Sequence, residues 1–184
     1  MIFLGIIQAQ TTVILSTSMP GKHELTYQGG LEKLDADGGF SVSLENYFIK
    51  EENLKIGLGI DHMFKRSLKN NQYLSGQINM GNIRFQNIIY GTMKILLNSN
   101  KNSIYAKVKI GHSTPKGDGN YEGDISSPVK YTGGMFYGFG GEIYLNQFTF
   151  VEFMSHNYKG EALVNSIDLE IKHTHLNIGI GYTF

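Results

Sequence analysis

Strict alternation of apolar and polar residues recurs along this chain, and a helical period of 3.6 is sustained nowhere. The alternation is clearest in LKIGLGIDHMF, residues 54–64, and in the closing HLNIGIGYTF, residues 175–184. In the second stretch Leu176, Ile178, Ile180, Tyr182 and Phe184 share one face, and His175, Asn177, Gly179, Gly181 and Thr183 share the other. A chain patterned this way must fold as sheet, because a period of two puts every second side chain on the same side.

The pattern predicts eight strands: His23–Leu31, Gly39–Ile49, Leu54–Lys65, Ile83–Leu97, Ser103–Ser113, Gly134–Leu145, Phe148–Tyr158, and a last one from near Ile167 or Glu170 to the end. A loop through Asp35 to Gly38 separates the first two. Connections alternate in length. Short polar turns fall at Lys50–Asn53, Asn98–Asn102 and Asn146-Gln147; long polar stretches cover 67–82, 114–132 and 159–168. Short turns join adjacent antiparallel strands. Their regular alternation with long loops gathers all turns at one end and all loops at the other, as membrane barrels do.

Composition decides which face points inward. At 184 residues the chain has the length of one domain, with 23 Gly, 3 Pro, 11 Tyr, 11 Phe, no Trp and no Cys. Without cysteine there are no disulfides, thiolate metal sites or cysteine nucleophiles. Lys plus Arg and Asp plus Glu are equal at 16 each, and no basic stripe is interleaved with aromatics, which argues against nucleic acid as a partner. The polar strand face collects Glu24, Glu45, Asp61, Glu142 and Glu152 against Lys55, Lys94, Lys107 and Lys109. Between them lie Ser41, Ser43, Gly57, Gly59, Gly138, Gly140, Gly179, Gly181 and Thr183. Matched charges spaced by glycine read as an enclosed lumen in which acids and bases pair and Gly leaves room for long Lys and Glu side chains. An eight-stranded barrel is just wide enough for side chains to fill it. The expected fold is all-β, an eight-stranded antiparallel up-and-down transmembrane β-barrel, its apolar face in lipid and its lumen plugged. Tyr27, Phe40, Phe48, Phe64, Tyr137, Phe148, Tyr182 and Phe184 sit at or near strand ends, where interfacial girdles form. The alternative is a soluble lipocalin-like ligand-binding barrel, whose usual Trp near the first strand is absent here.

Residues 1–20, MIFLGIIQAQTTVILSTSMP, differ from the rest. They read as a signal-peptide remnant or N-terminal extension, with the barrel over 21–184, although no Lys or Arg precedes Lys22. The competing reading makes Thr12–Leu15 a first β segment. Three motifs invite chemistry. His173 and His175 have an i, i+2 spacing compatible with a metal, yet no third ligand is identifiable. Ser155-His156 with Glu152 nearby invites comparison with outer-membrane hydrolases acting on lipid A, but adjacent strand residues point to opposite faces and cannot pair directly. KGDGNYEGD, residues 116–124, has acids and glycines without the ordered spacing of a calcium loop and reads as a flexible, hydrated external loop. No catalytic residue, metal or cofactor is therefore expected, and an outer-membrane lipid-modifying enzyme of the lipid A deacylase kind stays the alternative function.

GFGGEIYLNQFTFVEFMSHNY followed by HLNIGIGYTF resembles the C-terminal half of small outer-membrane β-barrels of the opacity/OmpX type. GGFSVSLENYF followed by LKIGLGIDHMF resembles that group's second and third strands. The resemblance covers roughly residues 22–184 as architecture. It implies an outer-membrane location in a Gram-negative-type bacterium, contact with outer-membrane lipid, and insertion by the barrel-assembly machinery. That machinery would read the last strand, here Tyr182 and Phe184 with Leu176, Ile178 and Ile180. The incomplete signal and the polar Arg84–Asn87 lead-in depart from the group. The expected function is a structural or adhesion-like surface role of a monomer, with an extracellular ligand at the long loops.

Overall fold

The computed structural model describes residues 10–27, 30–64, 73–74, 78–79, 83–99, 102–121, 127–164 and 167–184. The strands in chain order are β1 Gln10–Ser18, β2 Gly21–Tyr27, β3 Gly30–Ala36, β4 Gly39–Lys50, β5 Leu54–Met63, β6 Tyr73–Leu74, β7 Ile78–Asn79, β8 Arg84–Asn98, β9 Ile104–Lys116, β10 Asn120–Tyr121, β11 Ser127–Pro128, β12 Lys130–Tyr144, β13 Thr149–Val164 and β14 Ile167–Thr183.

Ten of these form one antiparallel sheet that closes on itself. β14 pairs with β13 on one edge and with β1 on the other, in register from Thr12 against Thr183 to Ser18 against Asn177. β2 continues β1 along the same β14 edge, from Lys22 against Thr174 to Thr26 against Glu170. Pro20, which has no N–H to give the ladder, marks the break between them. Met19 N still donates to Leu176 O at 2.9 Å. β3 and β4 likewise make one stave, broken at residues 37–38, where a Cβ on Gly38 would lie 2.5 Å from the Ser18 carbonyl oxygen. With β1 joined to β2 and β3 to β4, the ring has eight staves.

The start of the chain departs from the sequence expectation. Among the described residues the first strand runs from Gln10, so the boundary at residue 20 falls inside the first stave; residues 1–9 lie outside the described set. β1 alternates Thr12, Ile14, Ser16 and Ser18 inward with Val13, Leu15 and Thr17 outward. With Ile14 inward between outward Val13 and Leu15, the strand reads as a continuous apolar run, which is why it resembles a leader. The expected strand His23–Leu31 instead spans a hairpin, since β2 and β3 pair from Gly21 against Ala36 to Tyr27 against Gly30. The loop expected through Asp35 is thereby mostly strand.

The short turns after β4, β8 and β12 gather at one end with Gln10 and Phe184. At the other end, residues 159–164 belong to β13 and pairing resumes with Val164 against Ile167, so that connection is strand, not a long loop. The other two long connections meet: β11, β10, β7 and β6 form a small second sheet in that order, with Asn120 against Asn79. Asn120 and Tyr121 of the expected flexible loop are therefore strand; residues 122–124 lie outside the described set. Strands β13 and β14 have 16 and 17 residues, against the roughly 9–11 that span a bilayer. The surplus lies at the long-loop end.

The faces are inverted relative to a water-soluble barrel. Ile180 is 63% exposed, Ile110 63% and Leu58 60%, while Lys94, Lys107 and Lys109 are each 1% exposed. Phe40 and Phe64 are exposed on the outer face toward the long-loop end, and Phe48, Phe148, Tyr182 and Phe184 toward the short-turn end. Tyr137 is half-buried within β12, and the Tyr27 side chain is outside the described set.

Inward glycines make room for rings, where the sequence had suggested Lys and Glu stems. A Cβ at Gly59 would lie 2.5 Å from the Tyr90 ring, and one at Gly181 would overlap the Phe150 ring. Gly181→Ala is expected to destabilise the barrel by about 1–3 kcal/mol, the usual cost of overpacking. Urea unfolding in phospholipid vesicles measures it, with Gly91→Ala, whose Cβ meets nothing closer than 3.8 Å, as the tolerant control.

Candidate functional site

The lumen is layered, and the middle layer is ionic. β4 supplies Glu45, β8 Lys94, β9 Lys107 and Lys109, β12 Glu142 and β13 Glu152, each at an inward position of its alternation. Lys107 Nζ spends its three donors on three carboxylates: Glu45 at 2.7 Å, Glu142 at 2.7 Å and Glu152 at 2.6 Å. Lys94 reaches Glu142 at 2.7 Å, and Lys109 lies 3.0 Å from Glu45 and 3.3 Å from Glu152. Both Glu45 oxygens are saturated further, Oε2 by the Tyr47 hydroxyl at 2.7 Å and Oε1 by the Tyr90 hydroxyl at 3.0 Å. Three lysines and three glutamates thus neutralise one another in a space without water-facing surface. Lys94 also stands over the Tyr47 ring, 4.4 Å from its centroid.

The remaining residues assigned from sequence to this network stand apart. Asp61 faces inward and is buried, but it accepts a hydrogen bond from Ser43 Oγ at 3.2 Å instead of joining a lysine. Lys55 lies at the short-turn mouth and donates to Gln10 Oε1 at 3.1 Å. Glu24 is on the outer side of the β2–β3 hairpin, paired with Lys33 at 2.8 Å. Its alternation places it there, because His23 and Leu25 take the inward positions. The hydrogen bond and charge of Lys33 hold the Glu24 carboxyl below its ordinary range.

The outer half of the lumen is apolar and aromatic, a departure from the wholly polar lumen expected. Leu25, Leu34, Met63, Phe85, Phe136, Tyr158 and Ile171 form part of one buried cluster there. Against it pack four buried histidines, His23, His156, His173 and His175. His173 and His175 share a face, as their spacing requires; His23 stacks on His173 at 4.2 Å and Tyr158 on His175 at 5.3 Å between centroids, while the two rings themselves are tilted by 48° at 4.8 Å. Among the described residues no group of three or more His, Asp or Glu is placed to hold a metal. The inward position of His23 is carried in the sequence only by its alternation with Leu25.

His156 faces inward with Nδ1 2.7 Å from Asn177 Nδ2 and 3.2 Å from the Tyr158 hydroxyl. Ser155 takes the opposite face, and Glu152 is bound to two lysines, so these three do not form a nucleophile–base–acid chain. At the short-turn end Tyr105, Tyr144, Phe150 and Ile14 make a second apolar cluster beneath the ionic layer. The outward residues of β14, Leu176, Ile178, Ile180 and Tyr182, with Phe184 just beyond it, are all exposed.

Breaking the ionic layer unevenly should matter more than shrinking it evenly. Lys107→Met leaves three carboxylates short of a cation and is expected to cost about 3–5 kcal/mol. The double change Lys94→Met with Glu142→Leu keeps the charge balance and is expected to cost less than that single change. Urea midpoints of the refolded proteins compare them.

No family model and no curated protein sequence matches the chain. Similarity to solved structures is at the level of the fold. The outer membrane protein AlkL, solved in lipid bilayers, superposes with a TM-score of 0.60 at 13% identity, covering 100% of this chain and 94% of that one. OprG from Pseudomonas aeruginosa gives 0.55 at 11% identity, over 96% and 95%. Ail, the attachment invasion locus protein of Yersinia pestis, gives 0.50 at 15% identity, over 95% and 98%. With its closed ring of eight antiparallel staves, lipid-type outer face and filled lumen, the chain has the fold of the small eight-stranded outer-membrane β-barrels.

Proposed function

We propose that this protein resides as a monomer in the outer membrane of a Gram-negative-type bacterium and acts there, without catalysis, as a surface-recognition barrel. The observation that carries the reading is the sheet that stands beyond the apolar belt. There β13, β14, β2 and β3 run side by side, and their outer face is a ladder of charge: Lys159 against Lys172, Lys172 against Glu24, Glu24 against Lys33, and Lys22 against Asp35. Glu161 against Glu170 adds an acidic rung. Several pairs are loose or solvent-exposed, such as Lys22 with Asp35 at 4.0 Å and Lys172 with Glu170 at 3.3 Å. Exposed pairs contribute little to stability, so this face is free to exchange partners with an extracellular ligand. The name of Ail, attachment invasion locus protein, supports an adhesion-like role by likeness of fold.

A lumen filled by an ionic layer between two apolar clusters offers no continuous aqueous path, which supports a surface role over a pore. The apolar outer face of β14 supports insertion by the barrel-assembly machinery, with Leu176, Ile178, Ile180, Tyr182 and Phe184 as the address it reads.

The folded protein is expected to need detergent for solubility, to migrate differently before and after boiling, and to show no sizeable single-channel conductance in planar bilayers. Ile110→Arg, mid-strand on the outer face, is expected to cost up to about 2–4 kcal/mol in a bilayer. Recognition is tested by cells that display the protein: Lys22→Glu with Lys33→Glu should weaken their adhesion to surfaces coated with extracellular-matrix components. Unchanged adhesion would overturn the recognition role. Release of acyl chains from lipid A by the purified protein, abolished by His156→Ala, would replace it with an enzyme.

A further inference from the structure

We infer that the short-turn mouth of the barrel holds a binding site for a small carboxylate. A cavity of about 280 Å³ opens there, lined by Gln10, Lys55, Ser103, Tyr105, Tyr144 and Asn146 among others, and no acidic residue lines it. Lys55, Gln10, Asn146 and Tyr144 present donors to it, because neighbouring bonds have used the acceptors of the last three, and Ser103, Tyr105 and Gln147 can donate or accept. Gln10 Oε1 accepts from Lys55 Nζ at 3.1 Å, which leaves the Gln10 amide N–H groups to donate. Asn146 Oδ1 accepts from the backbone N–H groups of Phe148 and Thr149, both at 2.8 Å, and so turns its NH₂ outward. The Tyr144 oxygen accepts from Lys94 Nζ at 3.0 Å, so its own proton is available. Tyr105 adds a second buried phenol, with the Lys55 ammonium 5.5 Å from its ring centroid.

Charge chooses the ligand. Lys94, one layer deeper, is neutralised by Glu142. Lys55, by contrast, makes no ion pair among the described residues, and its partner Gln10 is a neutral amide. One uncompensated ammonium surrounded by neutral donors matches a single negative charge with two acceptor oxygens, which is a carboxylate. A phosphate, with about 1.5 negative charges at neutral pH, would exceed what one lysine balances. Placed among the short turns, the site would face the periplasm in the membrane orientation proposed above. Binding of a soluble anion in detergent does not depend on that orientation, so the site and the surface role can fail separately.

The test is titration of the full refolded chain in detergent micelles with sodium acetate, followed by amide NMR shifts, with sodium chloride and inorganic phosphate at matched ionic strength. Acetate should shift the amides of Lys55, Ser103 and Asn146 saturably. Lys55→Met should weaken it roughly tenfold or more, as loss of a charged hydrogen bond does, and Tyr144→Phe by about threefold. Gln10→Glu, which supplies an internal carboxylate to Lys55 and keeps every stem in place, should abolish the acetate response. Unboiled electrophoretic migration establishes that each variant is folded. Equal shifts with chloride, preference for phosphate, or acetate affinity in Lys55→Met and Gln10→Glu within twofold of the parent would each overturn the site.

Discussion

Closure of the sheet along the β14 edge is the constraint from which the rest of the structure follows. In hydrocarbon no water satisfies an open strand edge, so every backbone N–H and C=O of the spanning region must find a partner in the ring. β14 meets this with β13 on one side and β1 then β2 on the other. Small hydroxyls flank β1 on both sides: Thr12 meets Thr183 of β14 across the seam at 3.1 Å, and Ser16 meets Ser41 of β4 at 2.8 Å. These hydroxyls pair with one another inside the barrel and leave space for the bulkier groups of the opposite wall.

Once the ring is closed, its inside has to be filled without stranded charge. Lys107 at the centre answers three glutamates, and the tyrosines of β4 and β8 complete the Glu45 oxygens. A buried charge is tolerated only when its partners are held in place, and here they come from five strands that the ring positions. Aromatic clusters then cap the ionic layer from both ends, with glycines cut into the facing strands where rings must lie. Dry apolar packing on either side keeps water from competing for the lysines.

The two ends of the barrel are chemically unlike. At the long-loop end the strands outrun the bilayer and carry alternating charge on an exposed sheet, a surface suited to exchange with partners. At the short-turn end the polar groups are few, and the Gln10, Tyr144 and Asn146 oxygens already accept turn and lumen bonds. The same hydrogen-bond economy that caps the Asn146 turn orients its amide toward the mouth.

Much of this architecture was legible in the residues themselves. The period of two, the alternation of short and long connections, and the charge-bearing face of β4, β5, β8, β9, β12 and β13 pointed to a barrel with an inward polar side. Glu45, Glu142, Glu152, Lys94, Lys107 and Lys109 were legible as lumen groups because alternation alone assigns a face. Their mutual bonds were not, since residues such as Glu45 and Lys107 are brought together only by closure. β1 was hidden because inward Ile14 between outward Val13 and Leu15 makes a continuous apolar run that masks the alternation, and Gly29-Gly30 was the available signal for the hairpin of β2 with β3. Alternation also could not distinguish Glu24, carried above the membrane on the outer face, from acids within it. Local pattern determined strand, face and solvent; which side chains meet was decided by shear, register and the far wall of the ring, and these exist only once the last strand has found the first.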